Sequence, residues 1–412
     1  MNEVERARRR MQLNDAFVPT QPISTRALFA GRLAEIDTIV HAIFEHGRHI
    51  ILYGERGVGK TSFANIIHEL LKSEGEEHFF VVVKATASSD DTFSTIWHDL
   101  ASQLITIAEV RAIGFDQRTD KLRLSLDEML PQGKDLLPSD VVGMVSRIEG
   151  GNISVFIIDE FDRVDDPHTR RLFADTIKAF SDNLPTPTLV IVGVARDVSE
   201  LIGEHASIER SIAQVKLPLM TVEELREIIE KGLAVAEMSM DEEVKGRIAT
   251  FSQGFPHYTH LLAKNACIEA SEDGRLAVDL DDLLRAVERA LSETSASIQD
   301  TYRKAVVSRK VSLFPDVLLA CALAPMDEDR SFRAIDITKP LESITGRYCP
   351  PQTFTYHLGK LCDPERGAVL EKIGSRGRTR YKFRNPMMRP YLILRTYSLE
   401  RISVAQPEEY LV

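Results

Sequence analysis

The chain has 412 residues, 43% of them hydrophobic and 27% charged, enough to fill the cores of two or three domains, so disorder as the main state is excluded. Its 62 acidic and 51 basic side chains leave a formal charge of −11, which argues against a surface that coats nucleic acid or anionic membrane throughout; any polyanion site must be local. Cys267, Cys321, Cys349 and Cys362 stand far apart with no C-x-x-C pair, so neither a disulfide framework nor a zinc ribbon is written here, and the thiols point to a reducing cytoplasm.

The N-terminal MNEVERARRRMQLND carries charge with no apolar stretch behind it. The longest apolar run, VLLACALAP from Val317 to Pro325, is far below the roughly 20 residues that span a bilayer, so a cytoplasmic protein with no membrane contact is expected. Residues 1–26 are polar, hold Arg6, Arg8, Arg9 and Arg10, and pass through Pro19 and Pro22; they read as an arm. From 27 to 217, the apolar runs HIILY (49–53), FFVVV (79–83), SVFIID (154–159) and TLVIVGV (188–194) alternate with helical patterns. Such runs, without polar alternation, suit strands buried on both faces of a parallel sheet. The stretch 108–151 is polar and irregular, apart from a helix expected at Ser139–Ile148. After Pro218 the strand signal stops, and Thr221 three residues before Glu224 makes a capping box at the head of an all-helical region, 218–297. The remainder, 298–402, holds helical segments, then TFTYHLGKLC (353–362), AVLEKIG (368–374), the turn SRGRTR (375–380) and YKF (381–383). Helix, strand, basic turn, strand is the order of a winged helix; residues 403–412 form a tail.

The strongest signal is HIILYGERGVGKTSFANII, where Gly54-x-x-x-x-Gly59-Lys60-Thr61 follows a strand and opens a helix. In such a loop, Gly54, Glu55, Arg56, Gly57, Val58 and Gly59 curl their backbone N–H groups around phosphates, and the helix N-terminus adds the positive end of its dipole. Lys60 supplies a point charge for the β and γ oxygens, the Thr61 hydroxyl can ligate Mg²⁺, and Ser62 completes the motif. About a hundred residues later SVFIIDEFD ends a buried strand in two acids. Asp159 is placed to hold the hydrated Mg²⁺ of a nucleotide, and Glu160 to polarise the attacking water.

GERGVGKTS with FIIDEFD, preceded by LFAGR at Leu28–Arg32, resembles the AAA+ ATPases, and within them the branch shared by origin-recognition initiators and STAND signalling ATPases. The resemblance implies an α/β P-loop NTPase core with a parallel sheet at 27–217, an α-helical lid at 218–297 and a winged-helix domain at 298–402. It gives Phe29 and Gly31 a place in the adenine pocket, with ordinary packing as the alternative. Arg196, after the fourth strand run, stands where such ATPases sense the γ-phosphate, although Asp197 can pair with it instead. Arg210 stands where related ATPases project an arginine finger into a neighbouring subunit; a solvated surface role is the alternative. Pro256 and His257 of the lid segment are given a nucleotide-binding role, His257 where initiators commonly carry an arginine.

From 341 to 400 there are eleven lysines and arginines against five acids, a local cationic excess in an acidic chain. Arg376, Arg378, Arg380 and Lys382 fall at and beside the expected wing, as contacts for DNA phosphates or for an acidic partner protein. The resemblance thus implies an ATP-binding and ATP-hydrolysing switch, slow and stimulated by assembly or by a partner, that forms homo-oligomers when ATP-bound. Its partners are double-stranded DNA, in an initiator, loader or transposition regulator, or an effector protein, in a signalling or anti-phage defence ATPase.

Overall fold

The computed structural model describes residues 3–73, 80–111, 119–148, 153–184, 186–203, 208–308, 312–327, 329–374 and 378–398. Two compact units emerge: Pro22–Pro218, and a second one made of Met1–Gln21 together with Leu219–Val412. The chain opens with α1 (Glu3–Ala16), which belongs to the second unit. The first unit then runs α2 (Leu33–Phe44), β1 (His49–Gly54), α3 (Lys60–Ser73), β2 (Phe80–Thr86), α4 (Phe93–Ser102), β3 (Ile105–Arg111), β4 (Thr119–Ser125), α5 (Pro138–Val145), β5 (Ile153–Asp159), α6 (Pro167–Asn183), β6 (Thr188–Val194), α7 (Ser199–Ile202) and β7 (Ile212–Lys216).

Its centre is a five-stranded parallel sheet in the order β2-β5-β6-β1-β7. The four expected apolar runs are β2, β5, β6 and β1, and the last three are buried almost end to end, which is why they carry Val and Ile without polar alternation. The fifth strand, β7, was not expected. It lies at the sheet edge with Gln214 and Lys216 exposed, so its pattern alternates and the apolar signal is short. The irregular stretch contains an antiparallel hairpin, β3 with β4, and the helix expected at 139–148 is α5. Trp97 on α4 is fully buried, wedged among Phe93, Phe156, Phe173 and Phe180.

The second unit continues with α8 (Val222–Ala236), the two-residue strand β8 (Ser239–Met240), α9 (Glu242–Ser252), α10 (Pro256–Glu272), its partner β9 (Ala277–Val278), α11 (Leu280–Glu293), α12 (Ala296–Val306), α13 (Phe314–Leu323), α14 (Thr338–Thr345), α15 (Pro351–Leu361), β10 (Leu370–Ile373), β11 (Arg380–Phe383) and α16 (Met388–Ser398). The capping box forms as read: the Thr221 hydroxyl accepts from the Glu224 N–H at 3.2 Å, and Glu224 Oε2 accepts from the Thr221 N–H at 2.8 Å. β10 and β11 pair antiparallel, and Phe332 bridges to Tyr381 on the free side of β11.

The residues expected as a polar arm behave differently. Residues 3–16 are helical, and Leu13, Ala16 and Phe17 are fully buried in the core shared with α8 and α10. Their spacing of three and four puts them on one helical stripe, so three apolar side chains anchor an otherwise charged helix. A Cβ on Gly232 of α8 would come within 2.2 Å of the Phe17 ring, so this glycine is what lets the ring in. All four cysteines are free. Among the described residues no helix is long and apolar enough to cross a membrane, and no His/Cys/Asp/Glu cluster could hold a metal.

Candidate nucleotide site

In open α/β sheets, ligands gather where strands end and helices begin. β1 ends at Gly54 and the loop 55–59 delivers the chain into α3, whose first turn leaves N–H groups without intrahelical acceptors. Glycine is sterically required at three positions, Gly57 (φ 89°) among them. Gly59 has φ 95°, in the left-handed region that L side chains avoid, and a Cβ on Gly54 would sit 2.5 Å from the Leu217 carbonyl oxygen. Within the loop Val58 is buried, whereas Glu55 and Gly57 are half-buried and Arg56 is exposed at its tip.

Lys60 is buried at 8% exposure, and its ammonium donates to the carbonyls of Gly54 (3.1 Å) and Glu55 (2.8 Å). Among the described residues no carboxylate pairs with it. Burial pulls its pKa down to about 8, against the partly compensating fields of Asp162, Asp159 and Glu55. An enclosed ammonium held only by neutral carbonyls can receive an anion.

Asp159, the last residue of β5, is 1% exposed. Its Oδ1 accepts the Glu160 N–H at 2.9 Å and lies 3.5 Å from Thr61 Oγ1, so the hydroxyl and carboxylate expected to share a metal do stand side by side. Ser62 accepts the Ile23 N–H on its hydroxyl at 3.0 Å, which ties the entering chain to the loop's helix. Phe29 packs edge-on against Phe63 of α3, ring centroids 6.0 Å apart, and Gly31 (φ 64°) turns the chain into α2. The LFAGR box is therefore held against the phosphate loop's own helix.

Glu160 has φ 55°, a left-handed conformation that is costly for a glutamate, and its carboxylate pairs with Arg163 at 2.8 Å. Two residues on, Asp162 Oδ1 accepts the Val194 N–H at 2.7 Å, fastening the end of β6 beside the acids. Arg196 is exposed just beyond β6, its N–H donating to Glu200 Oε2 at 2.8 Å. Asp197, the alternative partner for Arg196, has its carboxylate on Ser199 and the Glu200 N–H. Arg210 is exposed in a short 3-10 turn immediately before edge strand β7.

The remaining expected residues belong to the second unit. Pro256 is the first residue of α10, and His257 Nδ1 lies 2.7 Å from the Pro19 carbonyl. At the β10–β11 hairpin, Arg376 lies outside the described residues and Arg378 is exposed. Lys382 sits opposite Glu371 in the ladder. Arg380 turns inward: it pairs with Asp327 at 2.7 Å and donates to the Ser331 carbonyl at 2.9 Å, so this guanidinium joins elements of the fold.

Sequence reasoning missed Lys84, whose ammonium is 2.9 Å from Asp159 Oδ2, and Asn65 on α3, which holds that ammonium. The available signal was a lone charge in the apolar strand FVVVKAT. Taken together, Lys60 and the loop can hold a polyphosphate, and Thr61 with Asp159 a hard divalent cation.

Among solved structures, the chain is similar to the Aeropyrum pernix ORC1 protein in complex with DNA, at 16% identity over 95% of this chain and 97% of that one, TM-score 0.48. It is also similar to the Aeropyrum pernix ORC2 protein in its ADPNP–ADP complexes, at 14% identity over 94% and 98%, TM-score 0.49. A third likeness is Cdc6p from Pyrobaculum aerophilum, at 14% identity over 97% and 99%, TM-score 0.44. Residues 22–305 match the sequence pattern described as nSTAND1, Novel STAND NTPase 1, a stretch that takes in the whole phosphate loop and both acids of β5's end. The chain belongs to the novel STAND NTPase 1 family.

Proposed function

We propose that the protein is an ATP-binding and ATP-hydrolysing molecular switch. The observation that carries this is the enclosed Lys60 ammonium, without a carboxylate partner among the described residues, on a glycine-turned loop beside Thr61 and Asp159. Lys60 binds the triphosphate's oxygens, and the loop N–H groups orient it. Thr61 and Asp159 would hold Mg²⁺, which when bound neutralises charge on the phosphates. Glu160 takes the proton of the attacking water. Its pairing with Arg163 is exposed on both sides, and exposed pairs contribute little, so freeing the carboxylate is cheap beside the barrier to hydrolysis. Arg210 acts on the site of a second copy, and ATP therefore favours self-association. Arg196 senses the γ-phosphate.

Family membership supports a signalling role, in which residues 298–398 read as a winged helix that grips an effector protein. The helix order α13, α14, α15 followed by the β10–β11 hairpin, with Phe332 as a third strand position, supports that reading. DNA is the second reading, favoured by the cationic excess of residues 341–400; Arg378 and Lys382 would carry it, since Arg380 is engaged by Asp327. Phosphate release should be measurable for the wild type and at least about tenfold lower for Glu160→Gln. The variant should accumulate as an ATP-dependent oligomer on sizing. Equal turnover in both proteins would reject the hydrolytic reading. Duplex binding that weakens steeply with salt, and less so in Arg378→Ala, would select DNA over protein.

A further inference from the structure

β2, FVVVKAT, is a largely apolar strand interrupted by one cation. Lys84 aligns with Ile157 in the ladder, two positions before the Thr86–Asp159 pair, so its stem reaches forward along the strand to the acid. The ammonium lies 2.9 Å from Asp159 Oδ2 and 2.5 Å from Asn65 Oδ1, with the lysine side chain 15% and the aspartate 2% exposed. Its backbone is clamped as well: the Lys84 N–H donates to Gln103 Oε1 at 3.3 Å and its carbonyl accepts from Gln103 Nε2 at 2.9 Å. Asp159 Oδ2 thus faces Lys84 as an ion pair without a hydrogen bond, while Oδ1 takes the Glu160 N–H and faces Thr61.

We infer that Lys84 is a positioning residue that sets how strongly the site takes a divalent cation. It pins the carboxylate so that Oδ1 alone faces Thr61, and it cancels the negative charge that would otherwise collect Mg²⁺ without a nucleotide. With Asp159 neutralised, the cation's affinity depends on phosphate oxygens, so metal enters as Mg²⁺–nucleotide. Asn65 lies on the phosphate loop's helix and orients the ammonium, which links this control to the loop. The inference rests on reading Asp159 as a metal ligand.

The test uses the full chain and Lys84→Met, which keeps the stem and removes the charge. Two quantities are measured: binding of a fluorescent ATP analogue against Mg²⁺ concentration, and the melting temperature with and without Mg²⁺ in the absence of nucleotide. The Mg²⁺ midpoint should fall about three- to tenfold in Lys84→Met, because a repelling charge next to the cation has gone. Mg²⁺ alone should raise the variant's Tm and leave the wild type's unchanged, and Lys84→Arg should restore wild-type values. A purely structural pair would lower Tm equally with and without Mg²⁺ and leave the midpoint in place, which overturns the inference. Should Lys84→Met fail to fold, Asn65→Ala frees the ammonium while keeping both charges; it should move the midpoint in the same direction by about twofold, and an unmoved midpoint also overturns it. Asp159→Asn separates the two claims. If it leaves the Mg²⁺ dependence intact, the metal reading falls and the inference with it. If it abolishes that dependence while Lys84→Met changes nothing, the inference alone falls.

Discussion

Lys60 and Asp282 are both almost entirely enclosed, yet they are treated in opposite ways. Lys60, in the α/β unit, has backbone carbonyls for company. Asp282, on α11 of the second unit, is 0% exposed at its side chain and takes Arg275 at 2.6 Å, Arg285 at 2.6 Å and the Asp279 N–H at 3.0 Å. Around it Asp273, Glu269 and Arg289 extend the network. A buried charge is tolerated when it is paired or when a ligand will pair it. In the second unit the enclosed charge is paired and cross-links helices, whereas in the first the enclosed Lys60 ammonium meets only backbone carbonyls. The difference teaches where to look for chemistry: at the enclosed charge whose neighbours do not balance it.

If that contrast is right, removing the pairing in the second unit should act on stability. Asp282→Ala removes the buried carboxylate that Arg275 and Arg285 share and strips the Asp279 N–H of its acceptor, and should lower Tm by more than about 5 °C, measured by calorimetry. The same unit depends on its N-terminal anchor. Phe17→Ala should cost about 3–5 kcal/mol in denaturant unfolding, because a fully buried ring is lost from a site shaped around Gly232. A loss under about 1 kcal/mol would show that residues 3–17 behave as the arm their charge suggests.

Two buried histidines sharpen the comparison. His49 of β1 is fully satisfied: Nδ1 accepts the Leu189 N–H at 3.0 Å and Nε2 lies 3.1 Å from Ser181 Oγ. His260 of α10 has no hydrogen-bond partner on either ring nitrogen among the described residues and packs edge-on to Phe17. Burial pushes both pKa values down to about 4 from 6.5. The unfolded chain therefore takes up protons that the folded one refuses. Stability is complete above pH 6.5 and falls as pH drops towards 4, by up to about 3 kcal/mol per histidine. At pH 7.5 His49→Leu should cost about 1–3 kcal/mol, since it orphans the Leu189 N–H, whereas His260→Leu should be neutral or stabilising. At Glu160 stability and activity separate: Glu160→Gly relieves the left-handed backbone and should gain about 1 kcal/mol while ending turnover.

How much of this could be read from the residues alone follows from local and non-local signals. β1, α3, β5 and β6 were legible because a continuous apolar run, a glycine loop and a terminal acid are all contiguous in the chain. β7 was not, since five edge residues with Gln214 and Lys216 outward look like any amphipathic segment. α1 hid behind its arginines, although Leu13, Ala16 and Phe17 already stood at helical spacing. The pairing of Lys84 with Asp159 depends on which strand lies beside β5, and that of Arg380 with Asp327 on a contact across more than fifty positions; neither is a property of a local pattern. Partner choice at the hairpin is illegible for the same reason.

The central claim is that the enclosed Lys60 ammonium exists to meet a triphosphate. Calorimetric titration of Mg²⁺–ATP into the full chain and into Lys60→Ala tests it directly. The account predicts saturable binding by the wild type and a loss of at least about 100-fold in the variant, with unfolding temperatures that match within a few degrees. Equal affinity in the two proteins would contradict it.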